Sequence, residues 1–200
     1  MSSLRRNPTV ETLAAFVVVK LLQPVAGLAG LAGYLFVLSA PVAVAPWTLV
    51  TSVYAHANLA HLFANAVALV LVGPLVARRT TRLRFHLFFV STGAIAGVAE
   101  VWFGGVIGPR GVLGASGAVF ALLGYLLAGN RASAALFDRV EVSPRAQLGL
   151  FLVVALVVTL ATGGPGVALF AHFAGLVLGL LAGRLRLLDV PAAGRNRSYK

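Results

Sequence analysis

Residues 114–129 read GASGAVFALLGYLLAG, a stretch without a charged side chain. Its apolar positions run all round a helical wheel instead of along one stripe, and a helix with no polar face has no side to offer water. The small residues Gly117, Ala121, Gly124 and Ala128 recur at three- and four-residue steps. Such a row lets a second helix backbone approach closely. One hydroxyl, Ser116, stands at the head of the segment, between Gly114 and Gly117.

The rest of the chain has the same character. Of 200 residues, 60% are hydrophobic and only 10% charged, which is far from a soluble composition. A membrane span needs about 20 mostly apolar residues to cross about 30 Å of hydrocarbon. Six runs meet that length, near 20–39, 57–75, 85–103, 112–129, 146–163 and 168–185. The connectors SAPVAVAPW, GGVIGPRG and TGGPG carry turn residues, and no segment alternates like a barrel strand. The expected fold is an all-α membrane protein, a six-transmembrane-helix bundle. Its expected parts are a lead-in over 1–19, a membrane domain over 20–187 and a polar, disordered tail over 188–200. The loop NRASAALFDRVEVSPR is expected to be solvated, and Lys20 to snorkel to the interface at the inner end of the first span.

The net charge of +11 is distributed by loop. Arg5 and Arg6 precede the first span, and Arg78, Arg79, Arg82 and Arg84 separate the second and third. Arg131, Arg139 and Arg145 separate the fourth and fifth, and Arg184, Arg186, Arg195, Arg197 and Lys200 follow the sixth. The alternate loops hold only Arg110, with Glu100 near the end of span three. The positive-inside rule therefore predicts both termini in the cytoplasm and Ser116 toward the outer side. Orientation accounts for the basic charge, so nucleic acid is not an expected partner; anionic lipid headgroups are a secondary one. With no cysteine, disulfide, thiolate and zinc-thiolate chemistry are excluded. The start MSSLRRNPTV lacks a secretory cleavage pattern, so the first span is expected to serve as the insertion signal.

Polar residues inside apolar segments are costly and face the bundle interior. HANLAHLFAN supplies His56, His61 and Asn65, the last two four apart and so on one helix face. AHFAGLVLGLLAG supplies His172 followed by Gly175, Gly179 and Gly183, a flat stripe. Taken singly, each of these is more often a helix-packing or interhelix hydrogen-bonding residue than a catalytic one. Taken together, packing the stripe of span six on the small row of span four brings Ser116 and His172 to one end. There His172 can take the serine proton as general base and return it to a leaving amine. His61, Asn65 and the Ser116 amide are candidate donors to the oxyanion. Glu11, Glu100, Asp138, Glu141 and Asp189 lie outside the apolar cores or at their edges, so His172 is expected to be oriented by packing or backbone groups.

This set resembles the rhomboid family of intramembrane serine proteases over about residues 47–185. Its H-x4-H-x3-N pattern is met by His56, His61 and Asn65, its G-x-S-G by Gly114, Ser116 and Gly117, and its H-x2-G-x3-G by His172, Gly175 and Gly179. The resemblance implies a rhomboid-type bundle with Ser116 as nucleophile, His172 as base and an oxyanion hole from His61, Asn65 and the Ser116 amide. It implies a supporting role for His56, and Phe120 as the aromatic residue packed on the catalytic histidine. It also implies a multi-pass protein of the cell membrane that cleaves transmembrane protein substrates within the lipid bilayer and needs no cofactor or metal. The chain departs from the family in a short loop after span one, in Thr48 following Trp47 where arginine is usual, and in Ala77 replacing an acidic residue. The alternative reading is a rhomboid-like protein without protease activity, a membrane-protein chaperone or trafficking factor. A small transporter would instead need charged or broken-helix sites near the midplane.

Overall fold

Asn7 starts the first helix: its side chain accepts from the Thr9 amide, and Pro8 occupies a first-turn position where no donor is required. The computed structural model describes residues 7–104, 111–129, 143–164 and 166–190. Its helices are α1 (Pro8–Leu28), α2 (Ala32–Phe36), α3 (Thr48–Tyr54), α4 (Leu59–Ala77), α5 (Arg82–Phe103), α6 (Ser116–Ala128), α7 (Pro144–Ala161) and α8 (Leu169–Arg184). Side-chain caps recur where the sequence offers them: Asn58 accepts from His61 N, Thr81 from Arg84 N and Ser143 from Ala146 N. The only sheet among the described residues is a ribbon in which β1 (Leu38–Ser39) pairs antiparallel with β2 (Gly111–Val112). Apart from this ribbon the described residues form an all-α structure.

Four helices, α1, α4, α5 and α7, are long and apolar enough to cross a membrane. Two further apolar helices, α6 and α8, are shorter, at 13 and 16 residues. At about 1.5 Å per residue, α6 covers only about 20 Å. That is shorter than a hydrocarbon layer of about 30 Å.

The first span differs from its expected place at 20–39. The helix begins at Pro8, so most of the supposed lead-in is helical, and it ends before Gly30, whose φ of +71° suits glycine. Lys20 and Gln23 interrupt an apolar run of the sequence, and both are used inside the protein. Lys20 Nζ donates to His56 O at 2.8 Å and to Ala57 O at 3.4 Å, and Gln23 Oε1 accepts from His56 N at 3.3 Å. Lys20 therefore does not snorkel at the inner end; it ties mid-α1 to the loop before α4. The fourth segment also starts later than 112, because β2 and Gly114 precede the helix.

Helix α6 forms the centre. Gly117, Ala118, Val119, Ala121, Leu122, Gly124, Tyr125 and Ala128 are all buried, and α6 packs on α8, α5 and α4. Around it Phe16, Val53, Leu69, Val76, Phe85, Phe89 and Tyr125 make one apolar core. The outward faces are equally apolar, with Val17, Leu21, Val25, Leu71, Leu87, Ile95, Leu156 and Leu160 exposed. Such a surface suits lipid and would be a liability in water.

At the end away from Ser116 the chain turns back on itself. Leu188, read from sequence as the start of a disordered tail, is buried in the main core. Val190 N–H donates to Arg79 O at 3.1 Å, and Tyr125 Oη donates to Asp189 Oδ1 at 2.6 Å. The remainder of that tail, 191–200, and most of the loop over 130–145 lie outside the described residues.

Candidate active site

Gly114 sets the approach to Ser116. Its φ is +133°, and a Cβ there would sit 2.6 Å from the His61 ring, so only glycine fits. Its amide donates to Ser52 O at 2.9 Å, which fastens the loop to α3. Ser116 is then the first residue of α6, half-buried, with its backbone amide among those at a helix N-terminus that lack an intrahelical acceptor.

His172 lies in the first turn of α8 and is buried. Its ring stacks on Phe120, one turn beyond Ser116, with centroids 4.3 Å apart and planes inclined by 27°. The glycine stripe makes this approach possible. A Cβ on Gly175 would collide with the Gly117 backbone, one on Gly179 with that of Ala121, and one on Gly183 with that of Tyr125. In the opposite direction, a Cβ on Gly124 would strike the backbone of Leu176. The two backbones touch along their length, and His172 is held over the start of α6.

His61 and Asn65 come from α4. The Asn58 cap holds the His61 amide at 2.8 Å, and Asn65 Nδ2 donates to His61 O at 2.9 Å, leaving its second amide hydrogen for another acceptor. His56 is fully buried beneath them, its ring edge-on to His61 at 5.2 Å and to Phe16 at 4.7 Å. Its Nδ1 lies 3.1 Å from Tyr54 O, which fixes the proton on that nitrogen in the neutral ring. Burial is the main cause that pushes its pKa down to about 4, assisted by neighbouring His61.

His61, Asn65, Ser116, Phe120 and His172 line one cavity of about 1090 Å³. Among the described residues no hydrogen bond joins the Ser116 hydroxyl to His172, and His172 Nδ1 is buried without a partner. A contact between nucleophile and base that closes only with substrate bound is common in empty active sites. Around the short loop where the chain departs from the resembling pattern, Trp47 donates to Tyr34 O at 3.0 Å and Thr48, in place of the usual arginine, to Ala45 O at 2.5 Å, bracing it. Ala77 is buried at the end of α4.

Sequence reasoning missed three residues around the site. Lys20 and Gln23 grip the His56 loop, as described above. Glu100, at the edge of a span, lines the same cavity and accepts from the Ala171 amide at 3.0 Å. Each was visible as an isolated polar group in an apolar run, but its partner lies on a distant element.

Comparison with known proteins agrees with the geometry. The family model of the rhomboid domain matches residues 43–188. The chain is 31% identical over 150 residues to rhomboid protease GluP of Bacillus subtilis (strain 168), an alignment covering 74% of this chain and 27% of that protein. It is 27% identical over 154 residues to RHOMBOID-like protein 5 of Arabidopsis thaliana, covering 76% and 48%, and 29% identical over 143 residues to RHOMBOID-like protein 4 of the same plant, covering 71% and 34%. The match thus spans about a quarter to a half of the length of these relatives.

Proposed function

Because the chain belongs to the rhomboid family, we propose that it is an intramembrane serine endopeptidase that cuts membrane proteins in or near their transmembrane segments. It is an integral membrane protein, with several helices apolar enough to span. In this reading α6 and α8 join the four longer helices as the fourth and sixth spans of a single membrane domain, and both termini face the cytoplasm. The observation that carries the reading is the convergence of Ser116, His172, His61 and Asn65 on one cavity at the head of a helix too short to fill the bilayer.

His172 takes the Ser116 Oγ proton as Oγ attacks the scissile carbonyl carbon. The tetrahedral oxyanion is met by the Ser116 amide, the free Asn65 amide hydrogen and the His61 ring. The imidazolium then gives its proton to the leaving amine, and the same base activates the water that hydrolyses the acyl-enzyme. Phe120 keeps the imidazole plane fixed through these exchanges. The short α6 lets water reach the serine without exposing the lipid-facing surface.

The test is fluorophosphonate labelling of purified protein in detergent, together with cleavage of a transmembrane test substrate. Wild type is expected to label and to cut, and Ser116→Ala and His172→Ala to do neither. A folded wild type that neither labels nor cuts would overturn the protease assignment and leave binding of membrane proteins without hydrolysis as the function.

A further inference from the structure

Helix α8 carries the proposed base in its first turn, yet that turn has no cap of its own. Its N-cap residue is Ala168, whose side chain can accept nothing. The first amides of a helix need acceptors, and Ser, Thr, Asp or Asn usually supplies one from the cap position. Here the acceptor comes from another helix. Glu100, in the last turn of α5, reaches across so that its Oε2 accepts from the Ala171 amide at 3.0 Å. Ala171 directly precedes His172.

Two further features mark this contact as built. A Cβ on Gly104 would fall on the Glu100 carboxylate, so the glycine one turn later keeps the space the carboxylate occupies. A negative charge at a helix N-terminus also meets the positive end of the helix dipole. Moreover, Glu100 is half-buried at the wall of the cavity that Ser116 and His172 share. Among the described residues lining that cavity it is the only carboxylate.

We propose that Glu100 is a positioning residue for the base: by capping α8 from the neighbouring helix at Ala171, it sets where His172 stands relative to Ser116. This rests on the protease reading above. The inferred arrangement resembles the acidic member of a triad in purpose but not in contact, because the carboxylate holds the backbone before the histidine instead of the ring. The α6–α8 glycine contact fixes the distance between the two helices, and the Glu100 cap fixes the start of α8 against sliding or unwinding. With His172 Nδ1 unpartnered, no side-chain hydrogen bond competes for control of the ring, so backbone placement and the Phe120 stack decide its position.

The experiment measures kcat and KM for a transmembrane test substrate, and the fluorophosphonate labelling rate, in four proteins: wild type, Glu100→Ala, Glu100→Gln, and Glu100→Ala combined with Ala168→Ser. A displacement of the base by about 1 Å is expected to cost on the order of tenfold to a hundredfold in rate. Glu100→Ala should therefore lose about that much in kcat and in labelling rate, with KM within about twofold of wild type. Glu100→Gln, which keeps an acceptor for the Ala171 amide, should recover most of the loss. Ala168→Ser should also restore activity in the Glu100→Ala background, because it offers the same turn a local cap.

Rescue by serine at 168, at the cap of a different helix, is not expected if Glu100 merely stabilises α5. Wild-type kcat in Glu100→Ala, or failure of both rescues in folded protein, would overturn the proposal while leaving the protease reading in place. A wild type that neither labels nor cuts would remove both.

Discussion

Lys20 takes its role from a partner remote in sequence. Its ammonium holds the carbonyls of His56 and Ala57, and those residues lead into the Asn58 cap and the His61–Asn65 face. Hydrogen bonds to a charged group contribute about 1.5 to 3 kcal/mol each. Lys20→Met should accordingly lower the thermal midpoint in detergent and slow cleavage, the loosened loop no longer holding the oxyanion donors; an unchanged midpoint and rate would remove this role from Lys20. His56, locked beneath the same loop, makes a pH prediction. Its folded pKa of about 4 lies below the ordinary 6.5, so the unfolded chain takes up the proton first as pH falls. Its contribution to stability is complete above pH 6.5 and is lost as pH drops from 6.5 toward 4. His56→Asn, which can still donate to Tyr54 O, should flatten that part of the curve, and thermal midpoints of both proteins across this range test it.

At the scale of elements, the α6–α8 pair carries the strongest constraint. Gly175 and Gly179 have no room for even one carbon before meeting the α6 backbone. Gly179→Leu should push the helices apart and abolish cleavage with Ser116 and His172 both present; Gly175→Leu should do the same more directly, lying one turn below the base. Activity in both variants would refute the close-packing account. This pair was legible in the sequence because its signal is local: small residues at helical spacing fix a face, and two such faces have one good way to meet. The candidate site was legible for the same reason, since His61, Ser116 and His172 each sit in the first turn of a helix and Asn65 one turn beyond His61. The first span begins earlier than expected because Lys20, Gln23 and Pro24 interrupt its apolar run, and only the fold reveals the carbonyl and amide that occupy the two polar side chains. Glu100 escaped as a positioning group because its partner is a backbone amide 71 residues away, and no side-chain pattern marks an amide.

Across the whole molecule the two ends of the bundle differ. The Ser116 end holds the cavity, whereas the other end is laced by bonds between distant elements. Glu11 joins Arg82 at 2.7 Å and His86 at 2.8 Å, tying α1 to α5, and Arg184 donates to Gln147 at 2.8 Å, tying α8 to α7. Arg79 donates to Gly129 O at 2.9 Å, tying the end of α4 to the end of α6. The segment after α8 completes this base. Leu188 enters the core, Asp189 takes the Tyr125 hydroxyl, and Val190 bonds to Arg79. Because Tyr125 lies on the same helix as Ser116, this strap holds the far end of α6. Exposed ion pairs contribute little singly, so the Glu11 contacts matter less than burial of Leu188. Leu188→Ala should therefore destabilise the protein by about 2 kcal/mol or more, as a cavity opens beside Tyr125. Glu11→Gln should cost under about 1 kcal/mol. Denaturation of both variants in the same detergent gives the comparison. If Glu11→Gln were the more damaging, the ion pairs and not the folded-back strap would be what closes the base. If Leu188→Ala is the more damaging but cleavage survives at temperatures where it stays folded, the strap stabilises the bundle without setting the geometry of the site, as expected for a contact more than two helical turns from Ser116.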